Sequence, residues 1–309
     1  MSKYQHQPVM LSEVMQCLQV KPNGCYIDAT FGRGGHSHAI LKSLGPTGKL
    51  IVLDKDHDAI AHAQTTFAQD PRIQIVHSCF SKMGQVIPDL MGKVDGILVD
   101  LGVSSAQLDD PSRGFSFRHD AQLDMRMDKA QKMTAAQWLE KAQKKEISEV
   151  LKKYGEEIDA FRIAEKILET RAISPVRTTH QLSDLVSQIK SKVRPAKKIH
   201  PATLTFQAIR IHVNQELDVL EKFLKIAPAL LNKDGILAVL SFHSLEDRMV
   251  KRCFRNLILP QIPRKLPILD KAIKKAYAWQ LKRLKPSDNE CQINPRARSA
   301  VLRAIRKEG

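Results

Sequence analysis

Asp28 stands four residues ahead of a Gly32-x-Gly34-Gly35 turn, in the run D-A-T-F-G-R-G-G-H-S that follows the strand-like Cys25-Tyr26-Ile27. Gly32, Gly34 and Gly35 permit positive φ and close backbone approach, so the amides that open the next helix can face a ligand. A second acid, Asp54, closes the apolar run Leu50-Ile51-Val52-Leu53. It lies about 20 residues beyond the glycines, where a ribose-binding acid ends the second strand of a βαβ unit. A dinucleotide fingerprint would place a third glycine where Ser37 stands, and a pyrophosphate would be repelled by Asp28. Acids flanking a glycine turn suit a cationic nucleoside instead, so the loop fits S-adenosylmethionine, with its sulfonium and ammonium, better than NAD. An ordinary tight βα turn would carry the same glycines.

These side chains need a sheet to hold them. Short apolar runs recur at Tyr26-Ile27, Leu50 to Leu53, Ile73 to Val76, Gly96 to Val99 and Ile236 to Phe242. Helical spacing over His36 to Leu44 and Asp58 to Phe67 separates the early runs, which predicts parallel strands with right-handed crossovers and an α/β fold. Between Val99 and Ile236 the rhythm breaks. Thr134-x-x-Gln137 and Thr178-x-x-Gln181 read as capping boxes ahead of amphipathic helices. The expected organisation is a discontinuous core, 1–124 and 206–309, interrupted by a helical insertion over 125–205. Thr203 to Leu231 is expected as one long helix returning to the sheet, with Asp234-Gly235 turning into the next strand.

Charge is unevenly placed along the chain. Of the net +16, residues 1–100 contribute zero and residues 251–309 contribute +12. Lys190, Lys192, Arg194, Lys197, Lys198 and Arg210 form a cluster without an intervening acid. Either this is a solvated lysine-rich surface, or it binds a polyanion, for which nucleic acid is the main candidate. A dehydrogenase would keep the glycine turn and Asp54 but leave this basic half without a role. Cys17, Cys25, Cys79, Cys253 and Cys291 show no metal-ligand spacing, which predicts reduced thiols in a cytoplasmic protein without a metal site. No apolar run approaches membrane-spanning length.

Three further segments carry chemistry. Asp100-Leu101-Gly102-Val103-Ser104-Ser105-Ala106-Gln107 leaves the C-terminal end of a strand, where open α/β sheets place ligands. Arg113-Gly114-Phe115-Ser116-Phe117 either stacks on a base and holds its phosphate or packs as a surface loop. Ser241-Phe242-His243-Ser244 brings a histidine to the end of the late strand.

Together D-A-T-F-G-R-G-G-H-S, D-L-G-V-S-S-x-Q-L-D-D, R-G-F-S-F, L-D-M-R-M-D, H-P-A-T-x-T-F-Q-A-x-R-I, S-F-H-S-L-E-D-R and N-P-R-A-R-S resemble the bacterial 16S ribosomal RNA (cytosine-N4)-methyltransferases, the RsmH or MraW family. The resemblance implies S-adenosylmethionine as methyl donor and a class I, Rossmann-like methyltransferase fold with a helical insertion for RNA recognition. It also implies a cytidine in the decoding region of 16S RNA, free or within the small subunit, as target. It places the cofactor on Gly34, Gly35, His36, Asp54, Phe80, Asp100 and Gln107. Ala29, Ala106 and His212 depart from the family's usual glycine, proline and tryptophan. Methylating an amine requires an acceptor for an N–H while the nitrogen lines up with the sulfonium methyl. The Asp/Asn/Ser-Pro-Pro-aromatic motif of DNA amine methyltransferases is absent, since this strand end reads Asp100-Leu101-Gly102-Val103. Ser104, Ser105 and His243, with Asp124 behind them, are the candidate acceptors.

Overall fold

A computed structural model describes residues 8–191, 200–259 and 275–309. The strands are β1 (Cys25–Asp28), β2 (Lys49–Asp54), β3 (Ile73–His77), β4 (Val94–Asp100), β5 (Leu231–Ser241), β6 (Tyr277–Leu284) and β7 (Val301–Lys307). Helices α1 (Leu11–Leu18), α2 (Gly35–Ser43), α3 (His57–Thr66) and α4 (Met83–Val86) accompany the first four strands. Six more, α5 (Ser105–Asp109), α6 (Ala135–Lys141), α7 (Lys144–Gly155), α8 (Ala160–Ile173), α9 (Thr179–Ser191) and α10 (Thr203–Asn214), follow with no strand between them among the described residues. After α11 (Glu216–Leu230) and β5 come α12 (Ser244–Ile258) and α13 (Asp288–Ile293). No helix among the described residues is long and apolar enough to cross a membrane.

The seven strands form one sheet in the order β3-β2-β1-β4-β5-β7-β6, a class I methyltransferase arrangement. The expected parallel pairing holds from β3 through β5. Successive side chains of β2 go to opposite faces: Leu50 and Val52 pack with Ile40 and Leu41 of α2, while Ile51 and Leu53 pack with Leu220 and Phe223 of α11. Both faces are covered, which is why these strands read as continuous apolar runs. Strand order reverses between β1 and β4, so Asp28 and Asp100 end the two strands that flank the switch point.

Two strands lie beyond the expected set. β7 runs antiparallel between β5 and β6. Its Arg303 is buried and bonds Asp247 of α12 through two donors, at 2.6 and 3.0 Å, so charged residues obscured a core strand. The expected Asp234-Gly235 turn lies inside β5 as a bulge, where β4–β5 pairing jumps from Val94↔Leu231 to Gly96↔Ile236 and Asp234 has φ 62°.

The chain divides into two compact units, Met1–Gly102 with Leu217–Gly309, and Val103–Glu216. The second is helical and has its own core, which includes Trp138, Leu139, Ile147, Leu151, Ile163, Ile167, Val186 and Phe206. Both expected capping boxes close, and Ser104 with Gln107 forms a third. The unit is wider than the expected 125–205. Phe115, Leu123 and Met125 bury within the same core, and α10 packs so tightly on α7 that a Cβ on Gly155 would lie 2.6 Å from the Leu204 carbonyl. The single helix expected over Thr203 to Leu231 is two, because Gln215 adopts φ 51° and ends α10.

Candidate active site

The glycine turn is tied to the ends of three strands. Gly34 caps α2 at φ 75°, and a Cβ there would lie 2.6 Å from the Phe31 ring, so both conformation and space require glycine. Gly35 has a different constraint, since a Cβ there would meet Pro8 at 2.2 Å. Asp54, at the end of β2, accepts from the Gly32 amide and the Asp56 amide, both at 2.9 Å. Burial holds its carboxyl above the ordinary range despite these donors. Each carboxylate oxygen retains a lone pair for further donors.

Asp28 does not present its charge to a ligand. It is 1 % exposed, and its oxygens accept from the Ser37 hydroxyl (2.6 Å) and the Thr30 amide (3.2 Å). Burial pushes this carboxyl up to about 7. The expectation that it confronts the cofactor's positive charge is therefore corrected: Asp28 fixes the turn by binding the turn's own donors. Ser37, which displaced the third glycine of a dinucleotide fingerprint, is the partner that Asp28 requires.

Asp100 is reached from two neighbouring elements, the loop after β1 and the first turn of α2. Its amide donates to the Thr30 hydroxyl at 2.7 Å, joining the end of β4 to the loop after β1. Oδ2 lies 3.8 Å from Nε2 of His36, a buried residue in the first turn of α2. Oδ1 is buried and accepts no hydrogen bond among the described residues. Burial, with the like charges of Asp28 and Glu246, pushes the carboxyl up to about 8. Phe80 follows β3 and is half-buried, its ring edge-on to Phe223 at 5.2 Å.

His243 and Glu246 form a reciprocal cap on α12. His243 Nδ1 accepts from the Glu246 amide at 3.4 Å, and Glu246 Oε2 accepts from the Phe242 amide at 2.8 Å. His243 Nε2 lies 3.2 Å from Glu246 Oε1 without hydrogen-bond geometry and is buried with no hydrogen-bond partner among the described residues. Glu246 was missed in sequence, although its place three residues after a helix-capping residue was the available signal. Thr30 and Ser37 were missed likewise.

The remaining candidates belong to the helical unit and have local partners. Ser104 Oγ accepts from the Gln107 amide (3.2 Å) and Gln107 Oε1 from the Ser104 amide (2.9 Å), closing the cap of α5. Ser105 is the first residue of that helix. Asp124 accepts from Nε and Nη2 of Arg126, at 2.8 and 2.7 Å. The base-stacking alternative for Arg113-Gly114-Phe115-Ser116-Phe117 gives way to packing. Arg113 and Phe115 are buried, with Arg113 donating to the Arg126 and Met127 carbonyls, and Phe117 stacks on His200 at 4.3 Å. Of the cationic cluster, 192–199 lie outside the described residues. Its flanking members are paired, Lys190 with Glu157 (2.6 Å) and Arg210 with Glu216 (2.8 Å), so they do not stand as unpaired charges.

Against this geometry, known proteins can be compared. The MraW methylase family matches residues 3–308. Among solved structures, a proposed rRNA methylase from Clostridium thermocellum is 12% identical, with 98% of each chain covered and a TM-score of 0.46. An rRNA methylase from Streptococcus thermophilus is 10% identical over 99% of both chains, with a TM-score of 0.41. A proposed methyltransferase from Streptococcus mutans, solved in complex with SAH, is 13% identical, covering 98% of this chain and 99% of that one at a TM-score of 0.39. The family match spans nearly the whole sequence, and the strand order and the tied glycine turn agree with it. The chain belongs to the MraW methylase family and is an S-adenosylmethionine-dependent rRNA methyltransferase.

Proposed function

We propose that this protein transfers the methyl group to the exocyclic N4 amine of a cytidine in the decoding region of 16S ribosomal RNA, in the cytoplasm, by direct displacement. The state of the thiols carries this reading. Methylation at carbon 5 needs a thiolate to attack the ring, whereas the amine can be methylated without a covalent enzyme intermediate. Burial pushes Cys17 up to about 12 and raises Cys25 and Cys253 as well, which disfavours the nucleophilic form. Cys79, beside Phe80, accepts a hydrogen bond from the Ser81 hydroxyl at 3.2 Å.

In this reading Gly34, Gly35 and His36 line the methionine end, Asp54 accepts from the ribose hydroxyls and Phe80 packs on adenine. Asp100 and Gln107 complete the cofactor site. S-adenosylmethionine supplies an activated methyl on a sulfonium when bound. Ser104, Ser105, His243 and Asp124 are the candidates for orienting the target amine, and the helical unit recognises the RNA. Mass spectrometry of nucleosides from small-subunit RNA, with and without this chain, tests the target. The expected result is loss of N4-methylcytidine in the chain's absence. Loss of a carbon-5 or ribose methyl instead would overturn it.

A further inference from the structure

We propose that Asp100 is itself a catalytic residue, its Oδ1 taking the proton from the target amine; this rests on cytosine N4 being the target. Asp100 ends β4 at the switch point of the sheet, the place where open α/β sheets hold the reacting ligand. Its backbone is fixed by Thr30 and its Oδ2 faces His36, which leaves Oδ1 as the buried oxygen with no donor among the described residues. A buried acceptor without a donor is costly unless a ligand brings one. The cytosine amine brings two N–H groups; the cofactor, which the proposed function also seats on Asp100, brings donors of its own, and the two Asp100 variants separate these roles.

Two of the alternatives are engaged elsewhere: Ser104 Oγ caps α5, and Asp124 holds Nε and Nη2 of Arg126. His243 Nδ1 caps α12, and its Nε2, also buried without a hydrogen-bond partner among the described residues, lies 3.2 Å from Glu246 Oε1. Asp100 is the carboxylate with one oxygen buried and unpartnered among the described residues.

The step balances without a co-reactant. The amine lone pair forms the N–C bond to the methyl as the S–C bond breaks and sulfur keeps its electron pair, leaving a neutral thioether. The nitrogen, now positively charged, gives one proton to Oδ1, and the carboxylate becomes a carboxylic acid that later releases it to water. Asp28 from β1, Glu246 from α12 and the His36 ring from α2 face this group. The two acids oppose its ionisation, and burial does the same, which keeps it near the range where a base works at neutral pH. The arriving sulfonium acts in the opposite sense.

Single-turnover transfer to small-subunit RNA at saturating cofactor tests the assignment, with cofactor affinity measured separately by calorimetry. Asp100→Ala is expected to lose about 10²–10⁴-fold in rate. Asp100→Asn keeps the shape and an acceptor oxygen but cannot take up a proton. It should lose rate by about 10²–10⁴-fold while binding cofactor within a few-fold of wild type. The wild-type rate should rise with pH as the carboxyl ionises, and Asp100→Asn should lack that limb. The proposal is overturned if the limb persists in Asp100→Asn, or if both variants regain the wild-type rate once cofactor is saturating, which would make Asp100 a cofactor ligand alone. A wild-type product methylated anywhere but N4 would instead defeat the target reading, whatever the variants do.

Discussion

The glycine turn of the sheet unit and the Arg113–Asp128 segment of the helical unit are both dense in charged, glycine and aromatic residues, yet they use them in opposite ways. In the turn, backbone amides donate to side chains at or just past strand ends: Gly32 to Asp54, Thr30 to Asp28, Asp100 to the Thr30 hydroxyl. The polar groups are thereby held at one edge of the sheet, and Asp100 keeps an acceptor without a donor. In the 113–128 segment Arg113 and Arg126 are spent on the segment's own neighbours. Arg113 satisfies two carbonyls, Arg126 binds Asp124, and Asn214 exchanges hydrogen bonds with the Met127 amide and the Met125 carbonyl. Motif density alone therefore does not separate chemistry from architecture. Whether polar groups are consumed by their own neighbours does.

That contrast predicts different failures. Arg113→Ala is expected to destabilise the helical unit by about 3 kcal/mol, because the Arg126 and Met127 carbonyls lose a buried donor. Urea denaturation measures it, and a change of only a few tenths would place Arg113 among exposed, ligand-facing cations instead. Asp54→Ala is expected to weaken S-adenosylmethionine binding by roughly 1.5–3 kcal/mol, about tenfold to a hundredfold, since a charge-assisted acceptor is lost. The Gly32 and Asp56 amides lose their acceptor too, so a small drop in melting temperature should accompany the effect. Unchanged affinity by calorimetry would remove Asp54 from the site.

The smallest effect concerns pH. Asp28 is raised to about 7, so its folded environment favours the protonated form. Its contribution to stability is complete below the ordinary carboxylate value of 3.8 and is lost as pH rises through about 7. Asp28→Asn cannot titrate. Relative to wild type it should gain stability between pH 5 and pH 8, read as a shift in the difference between their urea midpoints. A difference that does not change with pH would mean that Asp28 stays ionised in the fold.

Local pattern was enough for several features of this protein. The apolar runs of β1 to β5, the helices after β1 and β2, and the boxes at Thr134 and Thr178 depend on spacing within a few residues, and spacing is written in the chain. The glycine turn was legible for the same reason, since positive φ leaves few alternatives to glycine. What Asp28, Arg113 and Arg303 do was not legible, because a charged residue carries the same letter whether it meets solvent, a ligand or a buried partner. Arg303 finds Asp247 across 56 positions, and Thr30 finds the Asp100 amide across 70. Only the packed sheet brings such pairs together, and the low-dielectric interior then decides which carboxylates keep their charge, because a buried ion persists only where a partner offsets its lost hydration.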